Sequence, residues 1–227
     1  MRKLDHKLSI KKPDDLVFQA HNHDVDIQSN HIYLFGVDRG YESTPGDQEP
    51  GIEYVIANRF IKNINLCMRA NPDKPVIIHM KSCGGYWEEG MAIYDAIRAC
   101  PSNVTILNYT HARSMTSIIF QAADKRVMMP NSYFMFHDGT YGIEGTVKQV
   151  RSNIQFDKRT EITMLNIYAD RMNRKGEFKG QGVTRIKKWL REQMDKKEDV
   201  FLTAQQAVDL GLADSIFNGD WTSLSRY

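Results

Sequence analysis

The sequence predicts an α/β fold in which parallel strands are joined by right-handed crossover connections. Three observations carry this prediction. Short apolar runs bounded by turn residues alternate with longer segments whose apolar side chains recur every three or four positions. The hydrophobic content of 41% and the charged content of 26% are those of an ordinary globular protein. The 227 residues suffice for one sizeable core, or for a core with an appendage.

Composition argues against several classes of protein. The formal net charge of +2 gives no electrostatic case for binding nucleic acid or a membrane surface. Cys67, Cys83 and Cys100 form no CxxC pair, so we expect neither a disulfide framework nor a structural zinc site. No apolar run approaches the roughly 20 residues that span a bilayer, and no secretory signal follows the basic N-terminus. We therefore expect a cytoplasmic protein with no nucleic-acid or membrane partner.

The first segment is a polar arm over residues 1–31. It places His21, His23, Asp24, Asp26 and His31 close together in sequence, which raises the alternative of a metal site. No helical or hairpin spacing fixes a coordination geometry for these side chains. We therefore favour an irregular, solvated arm that holds no metal.

The middle of the chain alternates between short buried strands and amphipathic helices, and a Gly- and Pro-rich loop over 40–51 follows the first strand. In chain order, strands are predicted over 32–36, 76–80, 104–109, 126–129 and 133–137. Helices are predicted between them over 52–68, 91–100 and 114–123. This alternation is the pattern of β-α-β units.

The pattern changes after Gly145. A charged segment with one apolar stripe predicts a long helix from Thr146 to Met172. Because the helix is too long to lie wholly on a compact core, we expect it to protrude and to bury its stripe mainly against another subunit. A helix over 183–197 follows, and then a short helix that stops at Gly211 before a last strand.

Ser114 is the first candidate for chemistry, because it follows a strand and opens a helix, where free N–H groups favour negative charge. His137 lies 23 residues on (137 − 114), and the Gly84-Gly85 turn follows an earlier strand at the same sheet edge. A serine nucleophile needs such a base and such backbone donors. Taken singly, Ser114 is also typical of a helix N-cap, His137 of a hydrogen-bonded strand end and Gly84-Gly85 of an ordinary turn. Spacing alone leaves these alternatives open.

Four segments together resemble the proteolytic subunit of the Clp protease, an ATP-dependent serine protease. "KSCGGYWEEGMAIYDAIRAC" is similar to the family's Gly-Gly turn and following helix, and "ARSMTS" stands in place of its Ala-Ser-Met nucleophile segment. "MMPNSYFMFHDG" resembles its Leu-Pro-Asn-Ser strand, and "EDVFLTAQQAVDLGLADSI" resembles its Asp-x-Phe-Leu-Ser-Ala segment. The similarity runs from Ile32 to Ile216.

The resemblance implies the residues of the site. By position, Ser114 is the nucleophile, His137 the general base and Asp199 the orienting acid. The backbone N–H groups of Gly85 and Met115 are the oxyanion donors. No metal belongs to this site.

The resemblance also implies the family's superhelix of β-turn-α units with a protruding handle helix. The catalytic domain covers 32–217, with the handle region at about 140–182, and 218–227 form a C-terminal tail. The family forms heptameric rings stacked in pairs and is fed by a AAA+ unfoldase. The chain needs no cofactor of its own, since it has no GxxxxGK[ST] loop and ATP is used by the unfoldase.

Several departures from the family pattern mark a divergent member. The acid is the least secure residue, because Asp195 and Glu198 lie near Asp199 and the span of 62 residues from His137 (199 − 137) is longer than usual. Four further segments differ from the family: Lys81-Ser82-Cys83-Gly84-Gly85 for Asn-Ser-Pro-Gly-Gly, Arg113 for a small residue, Thr116 for Gly, and Asp138-Gly139 for Gln-Pro. Such a chain fits a phage or an accessory paralogue.

Arg113 has two possible roles. If it faces the substrate channel, it disfavours the imidazolium form of His137 and favours acidic residues in the substrate. If it faces away, it pairs with a carboxylate at a subunit contact. We favour the second role, because successive side chains at a tight turn point apart and Ser114 must face the substrate.

We predict a serine endopeptidase that cleaves unfolded polypeptides by acyl transfer. Three alternatives remain: a phage prohead protease acting on a capsid scaffold, a non-catalytic ring subunit, and a crotonase-like acyl-CoA enzyme with a carboxylate acid/base. The set of Ser114, His137 and Asp199 argues against the last two.

Overall fold

The structure, a computed structural model, describes residues 13–35 and 51–227. The predicted loop over 40–51 lies almost wholly outside the described residues, as do the first twelve residues of the predicted arm. The elements, in chain order, are α1 (Pro13–His23), β1 (Val25–Asp26), β2 (His31–Leu34), α2 (Tyr54–Ala70), β3 (Val76–Ser82), α3 (Trp87–Arg98), β4 (Val104–Arg113), α4 (Met115–Phe120), β5 (Lys125–Met128), β6 (Tyr133–Phe136), α5 (Val147–Arg174), α6 (Val183–Lys197), β7 (Val200–Thr203), α7 (Ala204–Asp209), β8 (Ser215–Ile216) and a 3₁₀ helix (Trp221–Ser225).

A mostly parallel sheet occupies the centre of the described part, and the predicted α/β class is confirmed. The strand order is β1-β2-β3-β4-β5-β8, and β6 and β7 extend from β4 as a branch. The pairings from β2 to β8 and between β4 and β6 are parallel, whereas β1 with β2 and β6 with β7 are antiparallel.

The branch in the sheet brings the end of β4 next to the end of β6. The first part of β4, residues 105–108, pairs with β5, and its last part, residues 111–113, pairs with β6. The sequence predicts that β4 stops at residue 109, because the apolar run ends there. Pairing with β6 carries the strand on to Arg113, so that the end of β4 lies beside the end of β6.

Two cores cover the two faces of the sheet, because successive side chains of a strand point to opposite faces. In β3, Ile78 belongs to the large core formed with the helices, whereas Ile77 belongs to a small second core. The C-terminal segment closes that second core with Phe217 and Leu224.

The predicted irregular arm is partly wrong, because residues 13–23 form α1 and residues 25–26 pair with β2. The reason is contact with α2. Asn63 Nδ2 donates to the carbonyl of His23 at 2.6 Å, and Arg59 forms an ion pair with Asp24 at 2.5 Å. Among the described residues, no three His, Cys, Asp or Glu side chains are grouped as metal ligands.

The long helix α5 changes its surroundings along its length. Its second half is buried against the large core through Met164, Leu165, Tyr168, Ala169 and Met172. Its first half leaves large apolar side chains exposed, as the 43% exposure of Ile154 illustrates. Burial of that half against another subunit stays a prediction. No helix of the described ranges is long and apolar enough to cross a membrane.

Candidate active site

Ser114 occupies a sharp turn between β4 and α4. Its φ of 53° and ψ of −127° are unusual for a residue other than glycine, and such conformations cost about 1–3 kcal/mol each. Several hydrogen bonds hold the turn. The Ser114 amide donates to the carbonyl of Met135 at 3.1 Å, and Ser117 Oγ donates to the carbonyl of Ser114 at 2.5 Å. Ser114 holds the N-cap position of α4, but its side chain forms no cap bond.

Thr116 ties this turn to the neighbouring strand. Its Oγ1 lies 2.8 Å from the carbonyl oxygen of Ser82, at the end of β3, and accepts from the Arg113 amide at 3.0 Å. The sequence marked Thr116 only as a departure from the family's glycine. In the structure its hydroxyl links the end of β3 to the nucleophile turn.

A hydrogen bond links Tyr168 of α5 to the same turn. Its hydroxyl lies 2.6 Å from Ser117 Oγ. Since Ser117 gives its one proton to the Ser114 carbonyl, the Tyr168 hydroxyl is the donor in this pair. Burial raises the pKa of Tyr168, so the phenol stays protonated. Sequence reasoning missed Ser117 and Tyr168, because nothing in the sequence reports how α5 packs on α4.

Ser114, His137 and Asp199 form one hydrogen-bonded row. Ser114 Oγ lies 2.8 Å from His137 Nε2, and His137 Nδ1 lies 2.9 Å from Asp199 Oδ1. A carboxylate only accepts, so Nδ1 carries the proton and Nε2 is free to accept from the Ser114 hydroxyl. The His137 side chain is 18% exposed and the Asp199 side chain 48% exposed.

Antiparallel pairing brings the acid to the histidine. Phe136 of β6 lies opposite Val200 of β7, so the residues that flank this pair, His137 and Asp199, are adjacent. Glu198 instead ends α6 with a φ of 59°. Of the three carboxylates that the sequence placed here, Asp199 is the one that contacts His137.

The predicted glycine turn lies directly against Ser114. Gly84 and Gly85 have φ of 102° and 152°, in the region that favours glycine. A Cβ on Gly84 would lie 2.7 Å from Ser114 Cβ, and one on Gly85 would lie 2.2 Å from the Ile52 carbonyl oxygen. Neither position admits a side chain without movement of the backbone.

The amides of Gly85 and Met115 differ from the amides that fix the glycine turn. The Ile52 amide donates to the Gly84 carbonyl at 2.6 Å and the Tyr86 amide to the Ile52 carbonyl at 2.9 Å, which fixes the glycine turn. Within the described ranges, the Gly85 and Met115 amides donate to no backbone carbonyl. The structure therefore brings both predicted oxyanion donors to the turn that holds Ser114, and neither has a backbone acceptor among the described residues.

A cavity of about 400 Å³ opens beside this row of side chains. Its lining includes Ser114 and His137, the apolar side chains of Met115, Ile118 and Met164, and a set of carboxylates. Arg113 is not part of the lining, and its Nε donates to the carbonyl of Cys83 at 3.3 Å. A role for Arg113 at a subunit contact stays a prediction.

A serine, a histidine and a carboxylate in one hydrogen-bonded row, at the edge of an α/β sheet, is the arrangement that acyl-transfer hydrolases use. The family model of the Clp protease matches residues 49–220, or 172 of the 227 residues (220 − 49 + 1). The chain belongs to the Clp protease family, as the sequence predicted. Membership supports a Clp-type peptidase and suggests that the chain associates with copies of itself.

Proposed function

We propose that this protein is a serine endopeptidase, the proteolytic subunit of an ATP-dependent Clp-type protease. One observation carries the proposal: Ser114 Oγ lies 2.8 Å from His137 Nε2 while His137 Nδ1 lies 2.9 Å from Asp199 Oδ1. Family membership supports the same reaction class.

The proposed reaction is acyl transfer from a peptide to Ser114. Ser114 Oγ attacks the carbonyl carbon while His137 Nε2 takes its proton, and Asp199 stabilises the imidazolium ion that forms. The protonated His137 then gives the proton to the leaving amine. A water molecule, activated by the same histidine, releases the acyl group and restores Ser114.

The backbone supplies the electrostatic part of catalysis. The amides of Gly85 and Met115 are proposed to donate to the oxyanion that develops on the attacked carbonyl. Removing one such donor typically costs about 10²–10³ in rate. Both amides belong to backbone that is already fixed, Gly85 by the Ile52 bonds and Met115 by α4, so the donors need not reorganise during the reaction.

The proposed substrates are unfolded polypeptides. Heptameric rings, stacked in pairs, would enclose the sites, and a AAA+ unfoldase that uses ATP would deliver the chains. We place this activity in the cytoplasm. The exposed apolar side chains on the first half of α5 support a subunit contact there, since such side chains favour burial.

The test is covalent labelling of the nucleophile. A fluorophosphonate should label Ser114, and Ser114→Ala should lose both labelling and peptidase activity while it remains folded. Ser225→Ala, at an exposed serine near the C-terminus, is the matched control and should behave as wild type. If Ser114→Ala keeps more than about a thousandth of wild-type turnover, Ser114 is not the nucleophile. A wild-type protein that is folded but is not labelled would favour the crotonase-like alternative.

A further inference from the structure

The cavity beside Ser114 is acidic. Four carboxylates line it, and in the described part of the chain no lysine or arginine does. The carboxylates belong to Glu88, Asp138, Asp157 and Glu161. An acidic set by itself is no binding site, but this set surrounds the cavity that holds the proposed nucleophile.

The carboxylates come from three separate elements. Asp157 and Glu161 are four residues apart on α5 and therefore share one face of that helix. Glu88 belongs to the first turn of α3, and Asp138 directly follows His137, where the family pattern has glutamine. The chain thus directs negative charge to one cavity from several places in the sequence.

Two of the four carboxylates already have a structural role. Glu161 forms an ion pair with Arg191 of α6. Glu88 lies at the N-terminus of α3, where the helix dipole favours an acidic side chain. Neither role requires a substrate.

Asp157 and Asp138 are different, since neither takes part in any ion pair formed among the described residues. Among the described residues, no side chain or amide donates to the Asp157 carboxylate, and the Thr160 hydroxyl donates to the Asp157 backbone carbonyl at 2.8 Å. Burial raises the pKa of Asp138, and nearby Asp195 and Asp157 add to this rise, although Arg191 opposes it. A cation in the cavity would compensate both carboxylates.

The apolar part of the lining decides which cation fits. Met115, Ile118 and Met164 are buried side chains of the large core that also line the cavity. A lysine or arginine side chain has a long aliphatic stem that covers apolar surface and a charged end that seeks a carboxylate. A small inorganic cation would leave the apolar lining uncovered.

We propose that this cavity accepts a lysine or arginine side chain of the substrate next to the scissile bond, with Asp157 as the specificity-determining residue. The inference rests on the proposed function and names its substrate class. A basic preference is the opposite of the acidic preference that was predicted for an Arg113 facing the substrate. Arg113 does not line the cavity.

The experiment compares kcat/KM for matched fluorogenic peptides that differ only at the residue before the scissile bond. Arginine, citrulline, leucine and glutamate are the four choices, and citrulline is the key comparison because it keeps the shape of arginine without its charge. We expect arginine to exceed citrulline by about tenfold, the scale of a charge pair in a partly solvated cleft, and glutamate to be cleaved most slowly. High salt should shrink the ratio of arginine to citrulline.

Asp157→Asn is the matched variant. It should lower kcat/KM for the arginine peptide toward that of the citrulline peptide, so that the ratio of arginine to citrulline falls toward one. Glu192→Gln removes a carboxylate of α6 that is not among the cavity residues, so it should keep the wild-type ratio.

Two results would overturn the inference: a wild-type ratio of arginine to citrulline near one, or the same ratio in wild type and Asp157→Asn. If Asp157→Asn fails to fold, the wild-type comparison decides alone. Labelling of Ser114 by a fluorophosphonate separates this inference from the proposed function. A labelled enzyme without a basic preference overturns the specificity only, whereas an unlabelled and inactive protein overturns both.

Discussion

Acidification should destabilise this fold through His79, a histidine of β3 that is only 5% exposed. Its Nε2 lies 2.9 Å from His31 Nδ1, its Nδ1 lies 2.9 Å from the Tyr109 hydroxyl, and its ring stacks on Tyr33. Burial, with His31 beside it, lowers the pKa of His79 from 6.5 to about 4. The folded protein therefore resists a proton that the unfolded chain accepts readily.

The size of the effect follows from proton linkage. Between pH 6.5 and about 4 the unfolded state binds more protons at His79 than the folded state does. The contribution of His79 to the free energy of unfolding is thus fully present above pH 6.5 and is lost as the pH falls toward about 4. The pKa difference of about 2.5 (6.5 − 4), at about 1.4 kcal/mol for each pKa unit, corresponds to roughly 3 kcal/mol.

Urea denaturation at fixed protein concentration, near pH 7 and near pH 4.5, measures this loss. We compare wild type with His79→Phe, which keeps an aromatic ring against Tyr33 but cannot be protonated. Carboxylates titrate in both proteins, so the difference between the two losses reports the hydrogen-bonded pair of His79 and His31, and wild type should lose about 2 kcal/mol more than the variant. His21→Gln, at an exposed histidine of α1, should match wild type. Equal losses in wild type and His79→Phe would refute the reasoning.

Three further predictions concern α5 and the nucleophile turn. Tyr168→Phe leaves the buried Ser117 hydroxyl without its donor and should lower the free energy of unfolding by about 1–3 kcal/mol, measured by urea denaturation; an unchanged midpoint would contradict this. Acidic residues at Val150 and Ile154 together should split double rings into single rings in analytical ultracentrifugation, and an unaltered sedimentation profile would reject the subunit contact. Arg113→Ala should weaken ring assembly more than it changes the preference between apolar and acidic peptides. Intact rings whose preference shifts toward apolar peptides would place Arg113 in the specificity pocket instead.

The sequence predicts elements best where periodicity and turn residues agree. The helix predicted over 183–197 is found as Val183–Lys197, because its apolar stripe is regular and glycines precede it. The strand Val200–Thr203 was not predicted as a strand, although Val200 and Leu202 are buried and alternate with exposed neighbours. Four residues are too short for alternation to stand out from a loop.

The arm contains a second element that was not predicted. Composition made residues 13–23 look irregular, but contacts from Asn63 and Arg59 of α2 hold the chain that follows α1. These contacts join residues about 40 positions apart, and no local pattern reports them. Tertiary contacts of this kind override a weak local preference.

Some residues of the candidate site could be predicted from the sequence and others could not. The order of strands and turns was enough to place Ser114, His137 and the glycine turn at one edge of the sheet, since parallel strands direct their carboxyl ends to the same side. Asp199 came from resemblance alone, and the structure supplies its reason in the antiparallel pairing of β6 with β7. The cavity carboxylates of α5, Asp157 and Glu161, were not predicted, because their position depends on the rotation of α5 about its own axis.

That rotation links the handle to the chemistry proposed here. Asp157, Glu161, Met164 and Tyr168 follow one another on α5 at steps of three and four, so they share one face of the helix. The first three line the cavity, and the fourth supports the turn that holds Ser114 through Ser117. A shift of one residue in the register of α5 would rotate this face by about 100° and would remove the Asp157 and Glu161 carboxylates from the cavity together with the Tyr168 contact. The first half of the same helix carries the exposed apolar side chains. A subunit contact that buries those side chains would therefore also fix the position of Asp157 and of the Tyr168 hydroxyl that contacts the nucleophile turn.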